Sequence, residues 1–247
     1  MGCRTRRYDR IGGLKMNRLR PFFSFYGAKW RLAPTYPEPR HQKIIEPFAG
    51  SACYSLAYPE REIVLNDLDP IICGVWDYLI HATEEEINAL PLLFDHIQDI
   101  NIPPEAKSLI GFWLNKGMTS PCNIPSKWMR DNKFPEQCNV WGEPVRRRIA
   151  VQLKYIRHWI IRNDSYTNLE NESATWFIDP PYAGPPGRCY KFDKVDYTEL
   201  AEYCLSRAGQ TIVCEQDGAD WLPFEWHRTT KAAKKRYSRE AIWCGTN

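Results

Sequence analysis

The run with the sharpest chemical content is FIDPPY at 177–182, where an apolar stretch ends in a carboxylate, two prolines and an aromatic ring. Two successive prolines remove two backbone donors and fix φ. Pro180 is therefore expected to present an unpaired carbonyl beside the Asp179 carboxylate, with Tyr182 projecting at the rim. Two acceptors and a flat ring suit a planar amine. The exocyclic amino group of a nucleobase is a poor nucleophile because its lone pair is delocalised, and hydrogen bonds to both of its protons draw the nitrogen toward a tetrahedral, nucleophilic geometry. A base in a duplex must first leave the stack at a cost of a few kcal/mol, of which stacking on an aromatic ring returns roughly 1–3. A plain strand followed by a proline-rich turn is the competing reading of the same six residues.

Two further runs offer a ligand site. IIEPFAGSACYSL at 44–56 reads as an apolar strand entering a small-residue turn and then a helix. An open α/β sheet accepts a nucleotide-like cofactor at such a place, because Gly50 admits a ligand close to the backbone and a helix N-terminus offers free amides; a glycine turn there also serves packing alone. In LNDLDP at 65–70, Asp67 is placed to accept from ribose hydroxyls, while Asp69 better fits the cap of the next helix. In FFSFYGAKWRL at 22–32 an aromatic cluster precedes Gly27 and Lys29. That pattern fits both a hydrophobic staple with a surface lysine and a lysine paired with a ligand carboxylate.

The elements that must position these residues follow from the apolar pattern. KIIEPF (43–48), EIVLND (62–67), TWFIDPP (175–181), QTIVCE (210–215), FEWHRTT (224–230) and AIWCG (241–245) read as strands at helix-sized intervals. Near-continuous apolar strands imply a parallel sheet covered on both faces, hence an α/β class with ligands at the strand C-terminal ends. DYTELAEYCLSRAG at 196–209 is a helix with Gly209 as its stop. HATEEEINALPLLFDHI (81–97) and EPVRRRIAVQLKYIRHWII (143–161) read as helices of an insert at 81–162, the second placing Ile149, Leu153, Ile156 and Ile160 on one face. The remainder divides into a basic extension at 1–20 and a catalytic domain formed by 21–80 and 163–247.

The 247 residues carry 33 Lys+Arg and 30 Asp+Glu, a net +3 that lacks the strongly basic balance of a bulk nucleic-acid binder. The charge is segregated. Residues 1–20 hold seven bases and one acid, 45–126 twelve acids and three bases, 127–162 nine bases and three acids, and 227–240 six bases and one acid. Lys127, Arg130, Lys133, Arg146, Arg147 and Arg148 in the insert, with Lys234, Lys235 and Arg236 as a second patch, are the expected phosphate contacts. Trp128 and Trp141 are expected to pack. Nine cysteines without a CxxC pair read as reduced thiols, and no apolar run reaches the ~18 residues of a membrane span, which implies a soluble, cytoplasmic protein.

YGAKW, EPFAG, NDLD, a basic helical insert, NDSYTNL and DPPY follow one another in an order that resembles the Dam-type, DPPY-containing DNA adenine-N6 methyltransferases, over about 22–247. REAIWCGTN at 239–247 is similar to that family's closing, Glu-containing strand. The resemblance implies a Rossmann-like class I methyltransferase sheet of seven mostly parallel strands with a small helical recognition lobe. It also implies S-adenosylmethionine as methyl donor, S-adenosylhomocysteine as product, DNA as substrate, no metal, and an orphan or phage-type enzyme acting as a monomer or weak dimer in a prokaryotic cytoplasm. By similarity, Tyr26 and Lys29 would line the methionine end of the cofactor site, Phe48 and Gly50 its centre, Asp67 the ribose and Asp164 the adenine, with Glu46 and Asp179 completing the set. Asp179, Pro180, Pro181 and Tyr182 would hold the target adenine. The chain departs from the family pattern in Ala28, in Ser51 or Ala52 where a second glycine is usual, and in lacking the Gly- and Asn-rich hairpin that reads GATC, so a recognition sequence does not transfer. Cytosine-N4 or RNA amino-methylation on the same fold, and a non-catalytic nucleic-acid-binding module, are the rival readings.

Overall fold

The computed structural model describes residues 18–131, 139–231 and 237–247. Seven strands form one sheet: β1 (Lys43–Glu46), β2 (Glu62–Asn66), β3 (Ile160–Arg162), β4 (Ala174–Ile178), β5 (Gly209–Gln216), β6 (Glu225–Lys231) and β7 (Tyr237–Thr246), in the order β3-β2-β1-β4-β5-β7-β6. The first five strands are parallel, and β7 lies antiparallel between β5 and β6. This is the seven-stranded, mostly parallel α/β, Rossmann-like sheet that the sequence leads one to expect.

The apolar runs become strands because both faces are covered. Ile44, Ile63, Leu65, Phe177, Ile212 and Cys214 pack into one buried cluster, and the alternating Ile45, Val64, Trp176, Ile178 and Val213 into another. The first face holds helices α1 (Pro70–His81), α2 (Glu84–Ala89), α3 (Pro104–Leu114), α4 (Lys127–Asp131) and α5 (Glu143–Gln152). The second holds α6 (Tyr197–Ser206) through Leu200, Tyr203 and Cys204. Asp69 caps α1 by accepting from the Ile71 amide at 3.0 Å, with Pro70 at the first turn, where its missing N–H costs nothing.

Several boundaries differ from the sequence reading. The expected helix at 143–161 stops at Gln152, passes through a 3-10 turn (Leu153–Tyr155) and becomes strand β3. Ile149, Leu153 and Ile156 are buried, but Ile160 is half exposed on the sheet edge, where Ile160 and Ile161 pair with Val64 and Leu65. Beta-branched side chains and the open edge of β2 prevail there over the helical period. Sheet residues thus begin inside the expected insert at 81–162. The helix expected over 81–97 is only α2, closed by a Thr83–Glu86 capping box at its start and by Pro91 beyond its end, before a 3-10 turn (Ile97–Asp99). Gly209 opens β5 rather than closing α6. Leu19 and Arg20 belong to the body, through Leu19 N–H to Leu56 O at 2.9 Å and Arg20 N–H to Gln152 Oε1 at 2.9 Å, while 1–17 lie outside the described residues.

The turn after β1 leads into one 3-10 turn (Ser55–Ala57), not into the expected α-helix. Gly50 takes φ +45° and Ala52 φ +49°, the latter the sole non-glycine positive φ among the described residues. Left-handed backbone costs an L-residue about 1–2 kcal/mol. At Ala52 a glycine relieves that, against about 0.4–1 kcal/mol of added unfolded-state entropy and ~0.8 for the buried methyl. Ala52→Gly is therefore expected to leave stability within about 0.5 kcal/mol, whereas Ala150→Gly, equally buried in α5, should lose roughly 1.5–2 in chemical denaturation.

Candidate functional site

Strand order reverses between β1 and β4, and a cavity of about 270 Å³ opens beyond the C-terminal ends of the strands there. Tyr26, Lys29, Glu46, Phe48, Gly50, Asp67, Asp164 and Asp179 all line it. Asp67 holds the turn together. Its Oδ2 accepts from the Gly50 amide and its Oδ1 from the Asp69 amide, both at 2.9 Å, and the carboxylate keeps acceptor capacity toward the cavity it lines. A Cβ on Gly50 would stand 3.2 Å from the Phe25 ring. Asp164 is exposed and ties its own loop, accepting from the Ser165 amide and the Asn168 side chain at 2.7 Å each; Asn66 anchors that loop to the sheet through the Asp164 carbonyl at 3.0 Å.

The reactive end of the cavity is a buried charge cluster. Lys29 Nζ donates to Asp179 Oδ1 at 3.0 Å and Oδ2 at 3.2 Å, and lies 3.5 Å from Glu240 Oε1. Tyr182 and Tyr36 both donate their hydroxyls to Glu240 Oε1, at 2.6 and 3.1 Å. Burial alone would lower the Lys29 ammonium, but the Asp179 and then the Glu240 carboxylates outweigh it and hold Lys29 well above the usual lysine range. Burial raises Asp179, against the pull of Lys29. Asp179, Glu240 and the Cys214 thiol lie within 4.8 Å of one another, and the Lys29 ammonium supplies the cation of that group.

The DPPY segment departs from expectation in two respects, at Tyr182 and at Pro180. Tyr182 is turned inward, its hydroxyl bound to Glu240 and its ring centroid 4.6 Å from Lys29 Nζ; Pro180 is buried, and the cavity wall is carried by Asp179 and Pro181. A buried carboxylate is a stronger attraction for the phenol than the rim is, since an unsatisfied buried charge costs more than a hydrogen bond to water. Gly27 takes φ +72°, and a Cβ there would stand 2.3 Å from the Tyr190 hydroxyl, which bonds the Tyr26 carbonyl at 3.3 Å. Ala28 has no positive φ, so a glycine is not required at that place.

Sequence reasoning named neither Tyr36 nor Glu215. The Glu215 carboxylate is fully buried and accepts from the Gln216 amide at 2.8 Å, the Trp221 indole at 3.0 Å and the Ala183 amide at 3.1 Å, which fixes the residue after Tyr182. Its signal was an acid closing the apolar run QTIVCE. Glu240 was visible only as the acid of the closing strand.

The expected phosphate contacts do not form one surface. Arg146 donates to the Leu90 carbonyl at 2.6 Å and pairs with Glu143; Arg148 donates to the Pro21 carbonyl at 3.1 Å and lies 5.3 Å from the Trp113 ring. These two arginines tie α5 to its neighbours rather than to solvent, because the C-cap of α2 at Leu90 and the loop at Pro21 present carbonyls to satisfy. Arg130 bonds the Pro125 carbonyl, while Lys127 and Arg147 are exposed in pairs with Asp131 and Glu143. Lys133, Lys234, Lys235 and Arg236 lie outside the described residues. Trp141 is fully buried and Trp128 half exposed.

No protein-family model matches the chain, and no curated protein matches it. Among solved structures it is similar to yhhF of Escherichia coli, named as a candidate methyltransferase (11% identity, 94% of this chain and 95% of that one, TM-score 0.36). It is also similar to the 23S rRNA methyltransferase ErmE (11%, 90% and 68%, TM-score 0.36) and to HI0767 of Haemophilus influenzae, named as a candidate methylase (10%, 86% and 91%, TM-score 0.31). Likeness at this level carries no weight for activity; the fold stands on strand order and register. Among the described residues no helix is long and apolar enough to cross a membrane.

Glu46 offers a test of this geometry. Its Oε1 accepts from the Ser55 amide at 2.8 Å, and burial raises its pKa from 4.5 to about 8. Between those values the folded state keeps a proton that the unfolded chain releases, so stability should fall as pH rises from about 4.5 to 8, by at most ~1.4 kcal/mol per unit. Glu46→Gln, which keeps the acceptor oxygen, should flatten that slope in denaturant melts taken across the window.

Proposed function

We propose that this chain is an S-adenosylmethionine-dependent DNA methyltransferase of the Dam-like, DPPY-containing type, acting on the N6 amine of an adenine flipped out of the duplex. One observation carries the reading: a single cavity joins the Gly50 turn and Asp67, suited to a nucleoside, to the Asp179 carboxylate at the end of β4. The residues fit that cofactor. Gly50 admits it against the backbone, the remaining acceptor capacity of Asp67 suits ribose hydroxyls, and the Phe48 ring, 5.2 Å from Tyr166, lies on the same wall. Two carboxylates against one ammonium leave the reactive end with net negative charge, which favours a cationic sulfonium over a neutral thioether.

S-adenosylmethionine, when bound, supplies an electrophilic methyl group on sulfur. Asp179 accepts a hydrogen bond from the target amine, holding its lone pair toward that methyl. The nitrogen would gain its fourth bond as the methyl–sulfur bond breaks, with that bond's electron pair staying on sulfur in the departing thioether S-adenosylhomocysteine; the amine, then cationic, would lose its proton to the Asp179 side or to water. Because the amine acidifies only once methylation has begun, Asp179 acts by placement and charge matching rather than as a strong base. Lys29 fixes the Asp179 rotamer through both oxygens, and Glu215 fixes the turn that follows.

Purified protein incubated with labelled S-adenosylmethionine and unmethylated genomic DNA, then digested to nucleosides, should place the label in N6-methyladenine. Label in cytosine would move the assignment to N4 methylation, and no transfer despite cofactor binding would sink the enzyme reading. Asp179→Asn should lower turnover by at least about 10²-fold while cofactor affinity changes only a few-fold.

A further inference from the structure

We propose that the β6–β7 ribbon is a DNA contact surface that grips the strand flanking the target base, an inference that rests on the DNA methyltransferase reading above. The last rung between β7 and β5 is Gln216↔Glu240, whereas pairing with β6 continues through Thr229↔Arg239 and Thr230↔Ser238 to Lys231↔Tyr237. At ~3.4 Å per residue, those three positions carry the two-stranded ribbon about 10 Å past the end of β5. Glu46, Asp67 and Asp179 open on the cavity at that same end of the sheet, and Glu240 joins the root of the ribbon to Tyr182 and Lys29. The insert reaches the cavity from elsewhere, through Thr119 on its wall and the Met118 carbonyl bonded to the Tyr26 amide at 3.1 Å.

The ribbon's surface suits a polyanion with flat bases. Trp226 is 57% and Tyr237 71% exposed, Arg239 is exposed beside them, and Arg228 is exposed on the opposite face of the ribbon. Trp226 stands opposite Ala241, so the two-residue alternation puts Trp226, Arg239 and Tyr237 on one face as an aromatic, cation, aromatic row. Arg239 is tethered by Asp217 at 2.9 Å with its side chain still 63% exposed. Charge selects the occupant. Among the described residues past Trp226 the exposed charges of the ribbon are Arg228 and Arg239, the acid Glu240 is 2% exposed and faces the cluster, and Glu225 is exposed only at the start of β6. A second copy of the chain would bring like charge to this edge, whereas a nucleic-acid strand brings phosphates for the cations and bases for the rings.

The test uses the full chain with S-adenosylhomocysteine present and reads fluorescence anisotropy of a labelled duplex across a salt series. Tyr237→Ser combined with Arg239→Gln, and separately Trp226→Ser, should each weaken DNA binding roughly tenfold, with the salt slope of the double variant falling by about one. S-adenosylhomocysteine affinity by calorimetry should stay at the wild-type value, which shows that the variants fold. Wild-type DNA affinity in both variants would overturn the ribbon while leaving the enzyme reading intact. A wild-type chain that binds S-adenosylhomocysteine yet prefers RNA, or binds no DNA, would instead overturn the DNA substrate and the ribbon's occupant with it.

Discussion

The Lys29 ammonium, 9% exposed, sits between Asp179 at the end of β4 and Glu240 on β7, and its placement constrains the rest of the reactive end. Burying a charge costs several kcal/mol unless partners offset it. Here the offset requires three distant chain segments to converge. Without the ammonium, the Asp179 and Glu240 carboxylates would be left with no cation between them. The segment bearing Lys29 is held independently of the charges, because Phe22 and Phe23 pack edge-on against Trp76 and Phe23 stacks on Phe112 at 5.1 Å. Apolar packing thus carries the lysine to a place where electrostatics alone would not put it.

From that cluster the cavity's division of labour follows. Glu240 uses one oxygen for Tyr36 and Tyr182 and is buried behind the cavity, so Asp179 is the carboxylate of the pair that faces the ligand space. At the opposite end the work is done by backbone: Asp67 ties the Gly50 turn to the start of α1, and the Trp76 indole bonds the Gly50 carbonyl at 2.9 Å. One end gathers charge and the other shapes a turn, as a ligand with a cationic centre and a nucleoside would need.

How far the sequence revealed this depends on whether the determining contact is local. The long apolar strands were legible because burial on both faces writes itself into four to eight consecutive residues. Strand β3 was not, since three residues with an exposed, intermediate, exposed pattern continue an amphipathic helix without a break in composition. The identities in DPPY and YGAKW were readable, but the direction of Tyr182 was not, because Glu240 sets it from a strand 58 residues away. Asp69 as a helix cap was readable because a cap acts on the amide two residues on.

The charge distribution shows the same limit from another side. Counting bases along 127–162 marked α5 as a phosphate surface, yet a guanidinium offers five donors and is drawn to any carbonyl the fold leaves open, as Leu90 and Pro21 are for Arg146 and Arg148. A positive run on a helix that packs on both sides is therefore divided between holding the helix and facing solvent, and sequence alone does not say in what proportion. On the ribbon the ladder to β5 ends at Gln216↔Glu240, the Asp217 amide still donates to the Arg239 carbonyl at 3.0 Å, and Trp226 and Tyr237 are left exposed. The whole-chain +3 is then the sum of an acidic stretch at 45–126 and of cations only some of which face solvent.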